Sequence, residues 1–157
     1  MPVEEISPIA PQVVGNVGMY YAAYRLSLLG WNVMPTARNA RGIDLLAYDA
    51  TGKEFRGFQI KALSKHGPVP LGSGVESLMG DWWIIVSGIA ASGKPNCFIM
   101  RPDEVRQRAT RREKEKDGRV SYWLQPARYR TAEFCEKWDR IGHGNVAPTA
   151  SLTAPGC

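Results

Sequence analysis

The segment from Val13 to Leu29 is apolar on nearly every side, and this property narrows the folds open to the chain more than any other. Val14, Val17, Tyr21, Tyr24 and Leu28 recur at three and four residues, the spacing of one helical face, and Gly30 stands where a helix would stop. Met19, Ala22, Ala23 and Leu26 lie on the opposite side, so the spacing predicts a core helix buried against more than one layer. The layers have candidates downstream. Trp31 to Thr36, Ile43 to Tyr48 and Phe55 to Ala62 read as strands of a meander, the last two joined by the turn-forming Asp49-Ala-Thr-Gly-Lys53. The glycine- and proline-containing stretch from Gly67 to Gly74 leads to two further strands, Trp82 to Val86 and Asn96 to Met100. Pro102 to Lys116 is expected as a charged surface helix, Val120 to Leu124 as a short strand, and Ala132 to Ile141 as a last helix with Phe134, Trp138 and Ile141 on one face. The expectation is an α/β fold with a sheet of about five strands flanked by helices.

A chain of 157 residues with 44% hydrophobic and 22% charged residues suits one domain with a single core. Residues 1–12, with three prolines, are expected as an extended lead-in, 13–140 as the domain, and the uncharged 141–157 as a flexible tail. The longest apolar run, Trp82 to Ala91, is about half the ~20 residues a spanning helix needs. The acidic and proline-bearing start is unlike a secretory signal, so a cytoplasmic location is expected. Three cysteines without a CxxC spacing and two histidines argue against a disulfide framework and a structural zinc site.

The net charge of +5 is compatible with nucleic acid or an acidic surface as partner. It is uneven: residues 101–140 hold twelve basic and eight acidic groups against eight and seven in residues 1–100. Arg106, Arg108, Arg111, Arg112, Lys114, Lys116 and Arg119 could make a phosphate-contacting ridge, or simply a solvated helix face. Gly88-Ile-Ala-Ala-Ser-Gly93-Lys94 copies a phosphate-binding loop as far as its lysine. Pro95 then replaces the hydroxyl that would reach Mg²⁺, and a strand follows instead of a helix, so a hairpin loop is expected.

The chemistry-bearing residues are polar ones set into apolar strands. In Gly42-Ile-Asp44-Leu-Leu and Phe58-Gln59-Ile60-Lys61, alternation sends Gln59 and Lys61 to one face and Phe58, Ile60 and Ala62 to the other. If the two strands pair, Asp44 can join Gln59 and Lys61 near a common sheet end, with the register left open. A carboxylate to hold a hard divalent cation, a neighbouring backbone carbonyl and a lysine near the attacking water suit metal-assisted phosphodiester hydrolysis. An Asp44–Lys61 ion pair that only ties two strands is the bland alternative.

Over about residues 13–140 the chain resembles the PD-(D/E)XK nuclease superfamily, particularly its small Holliday-junction-resolvase-like and uncharacterised endonuclease-like members. The resemblance rests on Gly15-Asn-Val-Gly18-Met19 entering the first helix, Gly30-Trp31, Gly42-Ile-Asp44, Gln59-Ile-Lys61, Asp81-Trp-Trp83 and a Trp138-containing last helix. It implies a restriction-endonuclease-like core with a mixed central sheet, Asp44 as metal ligand, Gln59 in the place of a variable Glu or Gln, and Lys61 as catalytic lysine. Met19 stands where relatives usually carry a Glu ligand. Asn16, one turn earlier, could offer a neutral oxygen, although a turn or capping role is the simpler reading.

The resulting expectation is a DNA-binding endonuclease that uses Mg²⁺ or Mn²⁺ held by Asp44, Gln59 and the Ile60 carbonyl, with Asp44, Gln59 and Lys61 as its catalytic residues. Arg38, Arg41, Lys65, Arg108, Arg111 and Arg112 are the candidate nucleic-acid contacts, His66 is a loop histidine, and the five tryptophans are core or sheet-covering groups. A duplex cutter would be a homodimer, by symmetry. Two rivals stand beside it: a nuclease fold that only binds nucleic acid, and a protein-interaction module.

Overall fold

A computed structural model describes residues 8–37, 42–92 and 94–145. The first helix, α1, runs Pro11–Leu28, with proline at its first turn, where a missing N–H costs nothing, and Gly30 at φ 85° closing its C-terminus. Three strands follow as an antiparallel meander: β1 (Asn32–Pro35), β2 (Leu45–Tyr48) and β3 (Phe55–Leu63). The chain then forms β4 (Val69–Gly72), returns as β5 (Trp82–Ser87) parallel to β3, and turns through the short α2 (Ile89–Ser92) into β6 (Asn96–Met100), antiparallel to β5. The result is a mixed five-stranded sheet in the order β1-β2-β3-β5-β6.

The remaining elements are α3 (Pro102–Arg108), β7 (Thr110–Glu113), β8 (Val120–Leu124), α4 (Pro126–Tyr129) and a 3₁₀ turn at Trp138–Arg140. Strands β4, β8 and β7 form a second, antiparallel sheet. Each face of the main sheet has its own core. Against α1 lie Leu45, Phe58, Ile60, Trp82, Ile84, Val86 and Trp138, packed with Val14, Ala22 and Leu26 of the helix. On the other face Trp83, Ile85, Phe98 and Met100 pack with Val69, Leu71, Leu124, Tyr129 and Phe134. Helix and sheet meet closely at Gly18, where a Cβ would stand 2.5 Å from the Ala62 Cβ, so glycine is required there for contact rather than conformation.

Four expectations change. First, α1 is not buried all round: Val14, Gly18, Ala22 and Leu26 are buried, while Val17, Tyr24 and Leu28 are exposed, because only one side of the helix has a sheet against it. Second, the expected helix over 102–116 ends at Arg108. Only Val105 of α3 is buried, and from Thr110 the backbone pairs with β8 instead, turning through Lys114–Arg119 with Gly118 at φ 64°. Third, the last helix is replaced by turns. Phe134 enters the core of one sheet face and Trp138 and Ile141 that of the other, which one helical face cannot do, and Glu136 takes φ 52° between them. Fourth, the stretch over 67–74 contains β4, a strand.

The packed domain also runs beyond 140, since Gly144 donates its N–H to Leu29 O and accepts one from Ala50. Residues 8–12 include the start of α1; the rest of the expected lead-in and residues 146–157 lie outside the described residues. No helix among the described residues is long and apolar enough to cross a membrane.

One polar network fastens α1 to the rest. The Glu136 carboxylate accepts from Arg25 Nη1 at 3.2 Å, Trp138 Nε1 at 2.8 Å and the Cys97 N–H at 2.8 Å, and Arg25 also stacks on the Trp138 ring.

Candidate functional site

Asp44 lies immediately before β2, and its backbone changes neighbour at that point. Its N–H donates to Phe58 O on β3, whereas its carbonyl accepts from Thr36 N, one residue beyond β1. The Thr36 hydroxyl also donates to the Ile43 carbonyl. This irregularity at the strand entrance aims the Asp44 side chain across β3, as bulge-like interruptions commonly do. The register pairs Leu45 with Phe58, so Asp44 stands beside Gln59.

The contacts are short. Asp44 Oδ2 accepts from Gln59 Nε2 at 2.7 Å and from the Ile60 N–H at 2.7 Å, taking the place of the next ladder partner on β3. Because a carboxylate only accepts, Gln59 must present its amide nitrogen here, which leaves Gln59 Oε1 as an acceptor. Among the described residues neither that oxygen nor Asp44 Oδ1 takes part in a hydrogen bond. In an extended strand a residue's N–H and C=O leave by the same edge, so the Ile60 carbonyl leaves β3 on the side of Asp44, past the end of β2.

Lys61 shares the Gln59 face, and its Nζ lies 5.4 Å from the centre of the Trp83 ring. Burial lowers its pKa from the ordinary 10.5, against an opposing pull from the Asp44 carboxylate. No ion pair to Lys61 forms among the described residues, so the simple strand-tying salt bridge is not what the fold builds. Met19 is half-buried against the α1-side core, on the opposite face from Gln59 and Lys61. Asn16 is exposed.

The expected phosphate contacts scatter. Lys65 is exposed just beyond β3. Arg108 is engaged with Glu133 at 3.4 Å and stacks on Phe134, and Arg111 pairs with Glu113 at 3.0 Å. Arg112 lines an open cleft of about 400 Å³ with Lys114, Ser121 and Trp123, where the half-exposed Trp123 indole donates to Ser121. Arg111 and Arg112 are thus on a strand of the second sheet, not on a helical ridge. Arg38 and Arg41 lie outside the described residues.

Two residues of the Asp81-Trp-Trp83 motif have contacts that the sequence does not reveal. Trp83 forms the floor under the Lys61 ammonium, although Trp31, Trp82, Trp83 and Trp138 are all buried as core groups. Asp81 Oδ2 accepts from the Gly57 N–H at 2.7 Å and fixes β3 against β5 just before Phe58; its place at the start of an apolar strand was the available signal. His66 is no free loop residue: its Nδ1 is 2.7 Å from the buried Ser87 Oγ, and burial together with Arg130 lowers its pKa below the ordinary 6.5. The Gly88–Lys94 segment joins two antiparallel strands, with Gly88 at φ 79° beside the His66 ring.

No group of three or more His, Cys, Asp or Glu among the described residues could hold a metal ion. The oxygens of Asp44, Gln59 and Ile60 would nevertheless offer all-oxygen donors with one carboxylate, a chemistry that suits Mg²⁺, an ion that keeps waters and takes further ligands from substrate phosphates. Compared with protein-family models, curated proteins and solved structures, the chain has no match.

Proposed function

We propose that this chain binds DNA and hydrolyses phosphodiester bonds with Mg²⁺ or Mn²⁺, as a PD-(D/E)XK-type endonuclease whose working residues are Asp44, Gln59, Ile60 and Lys61. The observation that carries the reading is the pair of 2.7 Å bonds that join Asp44 to Gln59 and to the Ile60 backbone, with Lys61 on the Gln59 face. Asp44 Oδ1, Gln59 Oε1 and the Ile60 carbonyl would hold the cation. When bound, it supplies Lewis-acid polarisation of the scissile phosphate and lowers the pKa of an attacking water. Gln59 holds the carboxylate through Oδ2, leaving Oδ1 without a hydrogen bond among the described residues. Lys61, desolvated over Trp83, places a positive charge beside the phosphate and orients the water by hydrogen bonding.

The test is cleavage of supercoiled, single-stranded and branched DNA in Mg²⁺, Mn²⁺ or EDTA. Metal-dependent cleavage that Lys61→Ala lowers at least a hundredfold supports the reading; equal cleavage by the variant points to another site. A binding-only role is favoured by one fact, that Asp44 Oδ2 already serves the backbone of β3. It predicts no cleavage, but DNA affinity in EDTA that falls steeply with salt.

A further inference from the structure

Helix α1 carries a stripe that the other described residues do not cover. Val13, Val17, Tyr20, Tyr24 and Leu28 are all exposed, from 37% for Val17 to 63% for Tyr20, and their spacings of four, three, four and four keep them on one side of the helix. Ile9, 40% exposed, extends the stripe beyond the N-terminus. Scattered apolar residues on a surface are ordinary, but a continuous line along an entire helix is not.

The chemistry of the stripe restricts its occupant. Arg25 is the helix's lone charged residue, and it points away to Glu136. The residues flanking the stripe, Asn16, Ser27 and Tyr21, are uncharged. With no Lys or Arg to meet phosphate, the face does not suit nucleic acid or an anionic lipid surface. It suits another apolar helix face without charge.

The pattern matches itself when reversed. Placing a second α1 antiparallel with a two-fold axis between positions 20 and 21 sets Val13 against Leu28 and Val17 against Tyr24, small against large, with Tyr20 beside Tyr21 at the centre. Two copies of a chain with net charge +5 repel one another over most of their surface, and this face is where they can meet without opposed like charges. We propose that the exposed face of α1 is the contact through which two copies of this chain pair, antiparallel, about an axis beside Tyr20.

An 18-residue helix is about 27 Å long, so this contact is smaller than the ~800 Å² per partner of a standard stable interface. A concentration-dependent dimer in the micromolar range is therefore expected, tightened by salt as like charges are screened, the opposite of the salt response of DNA binding.

The test is sedimentation velocity over a concentration series with wild type, Val17→Glu, Tyr24→Lys and an equimolar mixture of the two variants, in EDTA and without nucleic acid. Each variant alone should weaken association at least tenfold, and the mixture should recover it, because residue 17 of one copy then faces residue 24 of the other with opposite charge. Val13→Glu with Leu28→Lys repeats the design at the outer pair, and thermal melts confirm that each variant is folded. A wild type monomeric at every concentration, a dimer unmoved by the single variants, or mixtures that fail to recover association would each overturn the proposal.

Discussion

Two carboxylates are set among apolar residues in this fold, and they are used in opposite ways. Glu136 has both oxygens occupied, by a guanidinium, an indole N–H and a backbone N–H, and its side chain is only 7% exposed. Asp44 has one oxygen occupied twice and the other without a hydrogen bond among the described residues, next to a lysine that has a pulled-down pKa and no ion pair there. A saturated buried network fixes a structure and leaves nothing with which to bind. A half-saturated one keeps the same positional order but retains acceptors and a positive charge for something else.

The sharpest way to break this comparison is Glu136→Ala. It strands Arg25 at 14% exposure and removes acceptors from Trp138 and Cys97, so a loss of about 3–5 kcal/mol is expected, read as a shift of the denaturant midpoint. If the loss is below about 1 kcal/mol, the network is not what fastens α1. Next comes Asp44→Ala, which leaves the Ile60 N–H without its acceptor and should cost about 2 kcal/mol in the same measurement. A cost as large as that of Glu136→Ala would make the two carboxylates equivalent and the site structural.

Lys61→Met should leave stability at neutral pH within about 1 kcal/mol of wild type, or raise it, because it removes a charge that burial already disfavours. Since the folded pKa lies below the ordinary 10.5, the unfolded chain binds more protons between the two values, so wild-type stability receives a rising contribution over that window, which the variant lacks. Under the proposed function the same variant abolishes cleavage, which would separate fold from chemistry at one residue. The smallest effect is expected at His66. With its pKa lowered, the unfolded chain takes up the proton first as pH falls below 6.5, so stability drops with acidification until the folded pKa is reached. His66→Asn should flatten that slope in melts between pH 7 and 5.

Much of the candidate site's geometry was legible because it depends on alternation along one strand. Phe58 and Ile60 face α1 while Gln59 and Lys61 face the other way, and the meander that brings β2 beside β3 follows from a short turn. The depth of that legibility stops at contact: which Asp44 oxygen is occupied, and by which donors, depends on the backbone turning between Thr36 and Phe58. Met19 gains a different meaning for the same reason. Its place in the helix-entry pattern reads as a lost ligand, whereas its packing is that of an apolar residue covering the α1-side core. The helix expected over Pro102–Lys116 stops short because periodicity could not reveal that β8 offers Thr110–Glu113 a ladder, and backbone pairing outweighed a helix with one buried residue.

By itself the sequence determined what local periodicity and turn chemistry control: the extent of α1 to within two residues at its start and one at its end, the β1-β2-β3 meander, the β5-β6 pair and the two faces of β3. Tertiary structure decided whatever depends on partners distant in the chain. The second sheet joins β4 to β8 across some fifty residues. The segment after Tyr129 has no single apolar face, because it feeds two cores on opposite sides of one sheet. The apolar circumference of α1 is the clearest case. Its composition says that every side avoids water, but a single sheet can cover only one side, and among the described residues the other side stays exposed.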